Sequence, residues 1–220
     1  MLFRSIYDTP FDDVLDASGF TRGSVSISSF NGGSDILRGG SGNDYISAGY
    51  GYATMSGGDG NDTFSITSGA IAELSGGSGF DRLAVQNATV TLGSNGQQTI
   101  QGIESIDLGS WYNVGRGSYQ SLTLDPQWVP GASDFPNDLI VTGVSDSGIE
   151  IIKDSGWSII GTEWRNGQFF KILQNGNAIV RVQQVTDITL DYGPPTVVAT
   201  YSYDFDNGLP NDFEIGRAHV

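Results

Sequence analysis

A nine-residue, glycine-rich unit recurs in register in the first half of this chain. Its clearest copies read GGSGNDYIS at residues 39–47, GGDGNDTFS at 57–65 and GGSGFDRLA at 76–84. A degenerate copy, AGYGYATMS at 48–56, has Ala53 where the others have aspartate, and GSDIL at 33–37 carries the end of a further unit. A unit this short cannot bury its apolar side alone. The repeat therefore predicts stacked coils, which is the arrangement of a solenoid.

The eighth position of each unit is apolar and is expected to point inward. Side chains alternate between the two faces of a strand, so one apolar residue per short strand would line a common interior. A spacer at 66–75 lacks the glycine turn but supplies a leucine for the same row. The predicted interior row is Leu37, Ile46, Met55, Phe64, Leu74 and Leu83.

Composition agrees with a strand-rich and turn-rich protein. The chain has 32 glycines, 16% charged residues and 38% hydrophobic residues. Its formal net charge of -15 repels nucleic acid and attracts cations. It has no cysteine, which excludes disulfides and zinc-thiolate sites. No apolar run approaches the roughly 18 residues needed to cross a bilayer, so no membrane span is expected.

The repeated unit resembles the G-G-x-G-x-D-x-U-x nonapeptide of the repeats-in-toxin, or hemolysin-type, calcium-binding family. The resemblance covers about residues 30–85. It implies an all-β chain whose repeats form a right-handed parallel β-roll, in which six residues make a turn, three make a short strand, and two units complete a coil. It also implies a secreted or cell-surface protein exported by type I secretion, with Ca²⁺ as its cofactor.

On this resemblance, aspartates 18 or 19 residues apart share one edge of the roll. Asp44, Asp62 and Asp81 have this spacing. We expect one calcium ion between the turns of Asp44 and Asp62 and another between those of Asp62 and Asp81. Asp35, followed by Ala53 one coil later, offers at best a partial site on the opposite edge. Backbone carbonyls that would complete the sites belong to Gly40, Gly42, Gly58, Gly60, Gly77 and Gly79.

After the roll, short apolar or alternating segments predict further β structure at 86–192. Asn166-Gly167 and Asn175-Gly176 are hairpin signals. All four tryptophans lie in this segment, at positions 111, 128, 157 and 164; they could form a sugar-stacking platform, although core packing is the favoured interpretation. Residues 6–29 are expected to form an N-terminal β segment, and 193–214 a linker with the truncated start of a next domain. Residues 1–5 and 215–220 resemble translated adapter DNA and are expected to be non-native.

No H-E-x-x-H helix or G-x-S-x-G elbow occurs, so catalysis is not expected. The first hypothesis is a calcium-dependent folding module of a secreted adhesin or toxin. The alternatives are the non-catalytic tail of a secreted protease or lipase, and a module that binds a glycan or another cell-surface ligand. A zinc or serine motif upstream would favour the hydrolase tail, and exposed tryptophans would favour the glycan module.

Overall fold

The computed structural model of the chain describes residues 4–67, 70–86, 90–92, 99–108, 121–124, 138–142, 149–152, 156–183 and 188–191. These residues contain strands and turns but no helix. The predicted all-β class and parallel β-roll are confirmed, because the parallel strands build a β-solenoid of about four turns. Within the same residues, no helix has the length and apolar character that crossing a membrane would require.

Nineteen strands make up the described structure. In chain order they are β1 (Arg4–Tyr7), β2 (Val14–Asp16), β3 (Val25–Ser29), β4 (Ser34–Arg38), β5 (Tyr45–Ala48), β6 (Tyr52–Asp59), β7 (Thr63–Thr67), β8 (Ala70–Ser78), β9 (Arg82–Gln86), β10 (Val90–Leu92), β11 (Thr99–Gln101), β12 (Ser105–Asp107), β13 (Ser121–Leu124), β14 (Asp138–Thr142), β15 (Ile149–Ile152), β16 (Ser158–Arg165), β17 (Gln168–Asn175), β18 (Ala178–Gln183) and β19 (Ile188–Asp191).

Successive strands of the repeat region alternate between two parallel sheets. Sheet A has the order β1-β3-β5-β7-β9-β12-β14-β18-β17-β16, and sheet B has the order β2-β4-β6-β8-β11. A third sheet, sheet C, has the order β10-β13-β15-β19. Each coil thus contributes one strand to sheet A and one to sheet B, with a glycine-rich turn at either edge. Parallel pairing extends to both sides of residues 30–85.

The interior row predicted from the eighth positions is confirmed. Its six members are all buried and belong to one hydrophobic cluster. The register explains this, because Ile46 pairs with Phe64 and Phe64 with Leu83 across sheet A. Leu37, Met55 and Leu74 occupy the matching row of sheet B. Burying each such side chain contributes roughly 1.5–3 kcal/mol, and every coil adds another pair.

The repeat changes from an 18-residue to a 19-residue step between the second and third clear copies. The pairing of β6 with β8 absorbs the extra residue as an irregularity, because Ala53 pairs with Ile71 while Thr54 pairs with Glu73. Beyond it the strands return to register, with Met55 opposite Leu74 and Gly58 opposite Gly77. A bulge takes up one residue without displacing the rest of the strand. The glycine turns on the far side of β8 therefore remain aligned.

The end of sheet A is an antiparallel meander. Strand β18 pairs in parallel with β14 but antiparallel with β17, which pairs antiparallel with β16. The two predicted hairpins are confirmed. Asn166 and Gly167 both have positive φ, as a two-residue turn of this kind requires. The second turn contains Gly176 and Asn177, one residue later than the predicted Asn175-Gly176, and directly follows β17.

The interior row should carry much of the stability of the solenoid. We expect Phe64→Ala to lower the free energy of unfolding by about 3–5 kcal/mol, because it opens a cavity where two coils meet. The matched control is Phe11→Ala, since Phe11 is exposed; this change should stay within about 0.5 kcal/mol. Urea unfolding followed by circular dichroism measures both. Equal losses in the two variants would contradict the assignment of Phe64 to the core.

Candidate metal centre

The three aspartates of the clear repeat copies lie on one edge of the solenoid. Each one immediately precedes a strand of sheet A. The first residues of these strands, Tyr45, Thr63 and Arg82, are aligned by the parallel pairing. The amide of Thr63 donates to the carbonyl of Asp44 at 2.8 Å, and that of Arg82 to the carbonyl of Asp62 at 2.9 Å. Asp44, Asp62 and Asp81 therefore occupy equivalent places on successive coils, as their spacing predicts.

These aspartates join the coils through their side chains. The amide of Asp44 donates to Oδ1 of Asp62 at 2.7 Å, and the amide of Asp62 donates to Oδ1 of Asp81 at 2.7 Å. One coil earlier, the amide of Val25 donates to Oδ1 of Asp44 at 2.8 Å. All three side chains are buried. Each carboxylate thus accepts a hydrogen bond from the backbone of the preceding coil.

Glu104 continues this series and was not predicted from the sequence. Its Oε2 accepts a hydrogen bond from the amide of Asp81 at 2.6 Å, and its side chain is buried. The step from Asp81 to Glu104 is longer than the repeat period, so the spacing gave no sign of it. The usable signal was an acidic residue between Gly102 and the strand that begins at Ser105. We name Asp44, Asp62, Asp81 and Glu104 the carboxylate ladder.

The second oxygen of each ladder aspartate lies beside the first glycine of its own repeat copy. A Cβ atom built on Gly57 would overlap Oδ2 of Asp62 and would lie 2.5 Å from the carbonyl oxygen of Gly76. The same crowding occurs at Gly39, from Asp44 Oδ2 and the carbonyl of Gly57. It occurs again at Gly76, from Asp81 Oδ2 and the carbonyl of Gly102. In three successive coils, then, a carboxylate oxygen and a carbonyl oxygen of the next coil lie so close to the glycine Cα that no other residue would fit there.

The Asp62 side chain accepts a hydrogen bond through only one of its two carboxylate oxygens. Its Oδ2 atom is buried and accepts no hydrogen bond, and the whole residue is only 1% exposed. Burial raises the pKa of the Asp62 carboxyl to about 7; the hydrogen bond from the Asp44 amide opposes this rise, and the negative charges of Asp81, Asp44 and Asp59 add to it. A buried carboxylate among like charges favours either a proton or a cation.

Four of the six glycine carbonyls predicted as ligands point along the stack toward the next coil. The carbonyl of Gly40 accepts a hydrogen bond from the amide of Asp59 at 3.1 Å. The carbonyl oxygens of Gly40, Gly42, Gly58 and Gly60 lie against Gly58, Gly60, Gly77 and Gly79, respectively. The carbonyls that converge with the aspartate Oδ2 atoms belong instead to Gly57, Gly76 and Gly102.

Asp35 occupies the equivalent place on the opposite edge. Its Oδ1 accepts a hydrogen bond from the amide of Asp13 at 2.9 Å, and its Oδ2 accepts one from the hydroxyl of Ser29. In the next coil Ala53 pairs with Asp35, so the carboxylate series ends there.

Core packing, the favoured interpretation of the four tryptophans, is confirmed for Trp157 and wrong for Trp164. Trp157 is buried in the hydrophobic cluster, as core packing predicts. Trp164 is 70% exposed and lies near Phe169, with ring centroids 6.2 Å apart. Positions 111 and 128 lie outside the described residues.

Within the described ranges, no three or more histidine, cysteine, aspartate or glutamate side chains form a group that could hold a metal ion. The predicted sites use a different donor set, which combines aspartate oxygens with glycine carbonyl oxygens. Comparison of the chain with protein-family models, with curated proteins and with solved structures finds no match in any of the three.

The raised pKa of Asp62 predicts how the metal-free chain responds to pH. The folded chain holds a proton on Asp62 up to about pH 7, whereas an ordinary aspartate releases it near 3.8. The contribution of Asp62 to stability should therefore fall as the pH rises from about 4 to 7 and stay constant above. The loss of stability across this pH range should be on the order of a few kcal/mol.

Urea unfolding in metal-free buffer between pH 4.5 and 8.5, on the wild-type chain and on Asp62→Asn, measures this contribution. The free energy of unfolding of the variant should rise relative to that of the wild type as the pH rises, because the asparagine amide carries no charge that folding would bury. A constant difference between the two chains across the range would contradict the raised pKa.

The space beside Gly57 should not tolerate a methyl group. We expect Gly57→Ala to lower the free energy of unfolding by about 1–3 kcal/mol, because the added Cβ would overlap Asp62 Oδ2. The control is Gly19→Ala, since a Cβ there meets no atom within 4 Å. Both values come from urea unfolding. A Gly57→Ala chain as stable as Gly19→Ala would show that this space is not closely packed.

Proposed function

We propose that this chain is a calcium-binding module of a secreted protein, in which ions bind between successive glycine turns along the carboxylate ladder and stabilise the solenoid. The observation that carries the proposal is the Oδ2 atom of Asp62, which is buried without a hydrogen-bond donor among like charges. A divalent cation beside this oxygen would offset its desolvation and its repulsion from Asp44 and Asp81.

The donor chemistry around the ladder supports calcium. Calcium takes six to eight oxygen ligands from carboxylates, backbone carbonyls and water, in flexible geometry. Asp62 Oδ2 and the carbonyl oxygen of Gly76 both lie beside Gly57; Asp44 Oδ2, which accepts the Gly40 amide at 2.6 Å, and the carbonyl oxygen of Gly57 both lie beside Gly39. The residues that would hold the ions are Asp44, Asp62 and Asp81, with glycine carbonyls of adjacent turns. The ion would supply positive charge, and the residues would supply its oxygen shell.

Calcium binding at this place would be coupled to folding. The ladder exists only when the coils are stacked, so an ion that binds it favours the folded chain. Such a module would be less stable where calcium is scarce, as inside a cell, and more stable where it is abundant, as outside. We therefore infer an extracellular or cell-surface location, within an adhesin or toxin, and a role in binding and folding instead of catalysis.

Calcium titration of the full chain tests the proposal. We expect binding with a dissociation constant on the order of 0.1–1 mM, as for extracellular modules. At a calcium concentration 100 times the dissociation constant, the free energy of unfolding should rise by about 2.7 kcal/mol per site. Isothermal titration calorimetry measures the affinity, and urea unfolding with and without calcium measures the stabilisation.

Asp62→Asn should remove most of the calcium response, because it deletes the charge shared by both predicted sites. Glu73→Gln is the matched control, since it removes one negative charge from an exposed position of sheet B on the same solenoid. This variant should bind calcium as the wild type does. Equal loss in the two variants would indicate a general effect of net charge, and no calcium binding by the wild type would refute the proposal.

A further inference from the structure

The edge opposite the carboxylate ladder carries large aromatic side chains in contact with solvent. Phe11 is 76% exposed, Tyr50 is 65% exposed and Tyr52 is 61% exposed. All three lie where the chain passes from sheet A to sheet B, on the turns before β2 and β6 or at the start of β6. Aromatic side chains placed together on a surface mark sites of interaction more often than single exposed ones do.

The turn between β3 and β4 separates these aromatics; it begins with Phe30, which is 44% exposed, and continues with small residues. Gly33 lies against the carbonyl of Phe11, with a built Cβ 2.5 Å from that oxygen, and Gly51 lies against Gly33 in turn. On the same side, Ser34 pairs with Tyr52, whose amide donates to the carbonyl of Gly33 at 3.1 Å. The turn at 32–34 therefore lies between the coil of Phe11 and the coil of the two tyrosines.

Glycine and serine at 32–34 thus leave a low strip of surface between the two flanking coils, with Phe30 at one end of it. A Cβ atom built on Gly32 would meet no atom within 4 Å, so this strip is open to solvent. Neighbouring parallel strands lie about 4.8 Å apart, which places the two flanking coils about 10 Å apart. That width admits one flat side chain. We name Phe11, Gly32, Gly33, Ser34, Tyr50 and Tyr52 the aromatic trough.

The charged side chains described beside the trough are carboxylates. The Asp12 carboxylate accepts the amide of Ser34 at 2.8 Å, and the Asp8 carboxylate accepts the amide and the side-chain nitrogen of Asn31 at 2.7 and 2.8 Å. Carboxylates have about four acceptor positions, so both keep capacity for another donor. Between Ser5 and Arg82 the only basic residues are Arg22 and Arg38. Arg22 lies in the turn that follows β2, and Arg38 ends β4, so both are at the ladder edge.

We propose that the aromatic trough is a docking surface for a basic polypeptide segment that places an arginine side chain between Phe11 and the two tyrosines. A guanidinium group stacks on aromatic rings and pairs with carboxylates in the same pose, which a lysine ammonium does less well. A second copy of this chain is a poor occupant, because two chains of net charge -15 repel each other. The proposal does not depend on calcium binding, since the trough and the ladder lie on opposite edges.

Binding of labelled hexa-arginine to the full chain, measured by fluorescence anisotropy at about 0.15 M salt, tests this inference. Each exposed ring should contribute a factor of about two to five in affinity. We expect Phe11→Ser combined with Tyr50→Ser to weaken binding about tenfold. The matched control is Tyr45→Ser, which removes an exposed tyrosine from the start of β5 at the ladder edge and should change affinity less than twofold.

Two further probes separate the possible occupants. Hexalysine should bind at least about fivefold more weakly than hexa-arginine, because it lacks the planar stacking group. Equal binding of the two peptides, or equal weakening by Tyr45→Ser, would show general attraction to an acidic surface and overturn the proposal. Binding of maltohexaose that depends on Phe11 and Tyr50 would also overturn it, in favour of a glycan surface.

Circular dichroism of each variant controls for folding, and Tyr50→Ser alone serves if the double variant unfolds. The Asp62→Asn variant distinguishes binding at the aromatic trough from calcium binding at the carboxylate ladder. It should leave hexa-arginine binding unchanged whether or not the chain binds calcium.

Discussion

The burial of like-charged carboxylates along one edge is the constraint on which the rest of the structure depends. Asp44, Asp62, Asp81 and Glu104 are stacked along this edge, and each accepts a hydrogen bond from a backbone amide of the preceding coil. These bonds fix the register of the turns. They also leave Asp62 Oδ2 buried and without a donor, at an energetic cost that the apolar interior must offset in the absence of a cation.

Glycine makes this arrangement possible at the level of single atoms. Gly39, Gly57 and Gly76 leave the space into which an aspartate oxygen and a carbonyl of the next coil both project. Any larger residue would force the turn away from its neighbour. The interior row holds the coils together against the repulsion between the carboxylates. Its members Ile46, Phe64 and Leu83 are stacked in the strands that follow these turns. The fold thus places a row of apolar side chains, whose burial stabilises it, beside a row of carboxylates, whose burial destabilises it. A cation bound at the carboxylates would therefore increase the stability of the folded chain.

Much of the first half could be predicted from the sequence because its period is short and strict. The apolar eighth positions identified the interior row, and the spacing of 18 and 19 residues identified the shared edge of Asp44, Asp62 and Asp81. Glu104 could not be found in this way, since it follows Asp81 by 23 residues instead of 18 or 19 and has glutamate where the repeat has aspartate. The orientation of the glycine carbonyls was also beyond the sequence, because it depends on how one turn lies against the next. The aromatic trough was missed because it needs residues from three coils, and only the register brings Phe11, Gly33 and Tyr52 to one place.

The most direct test of this account is the carboxyl ¹³C signal of Asp62, assigned through Asp62→Asn and followed by NMR as a function of pH with and without calcium. We expect this signal to titrate near pH 7 in metal-free buffer, in line with the raised pKa, and to lose that titration when calcium is added. An Asp62 signal that titrates near pH 4 and does not respond to calcium would contradict both the raised pKa of this carboxyl group and its role as a calcium ligand.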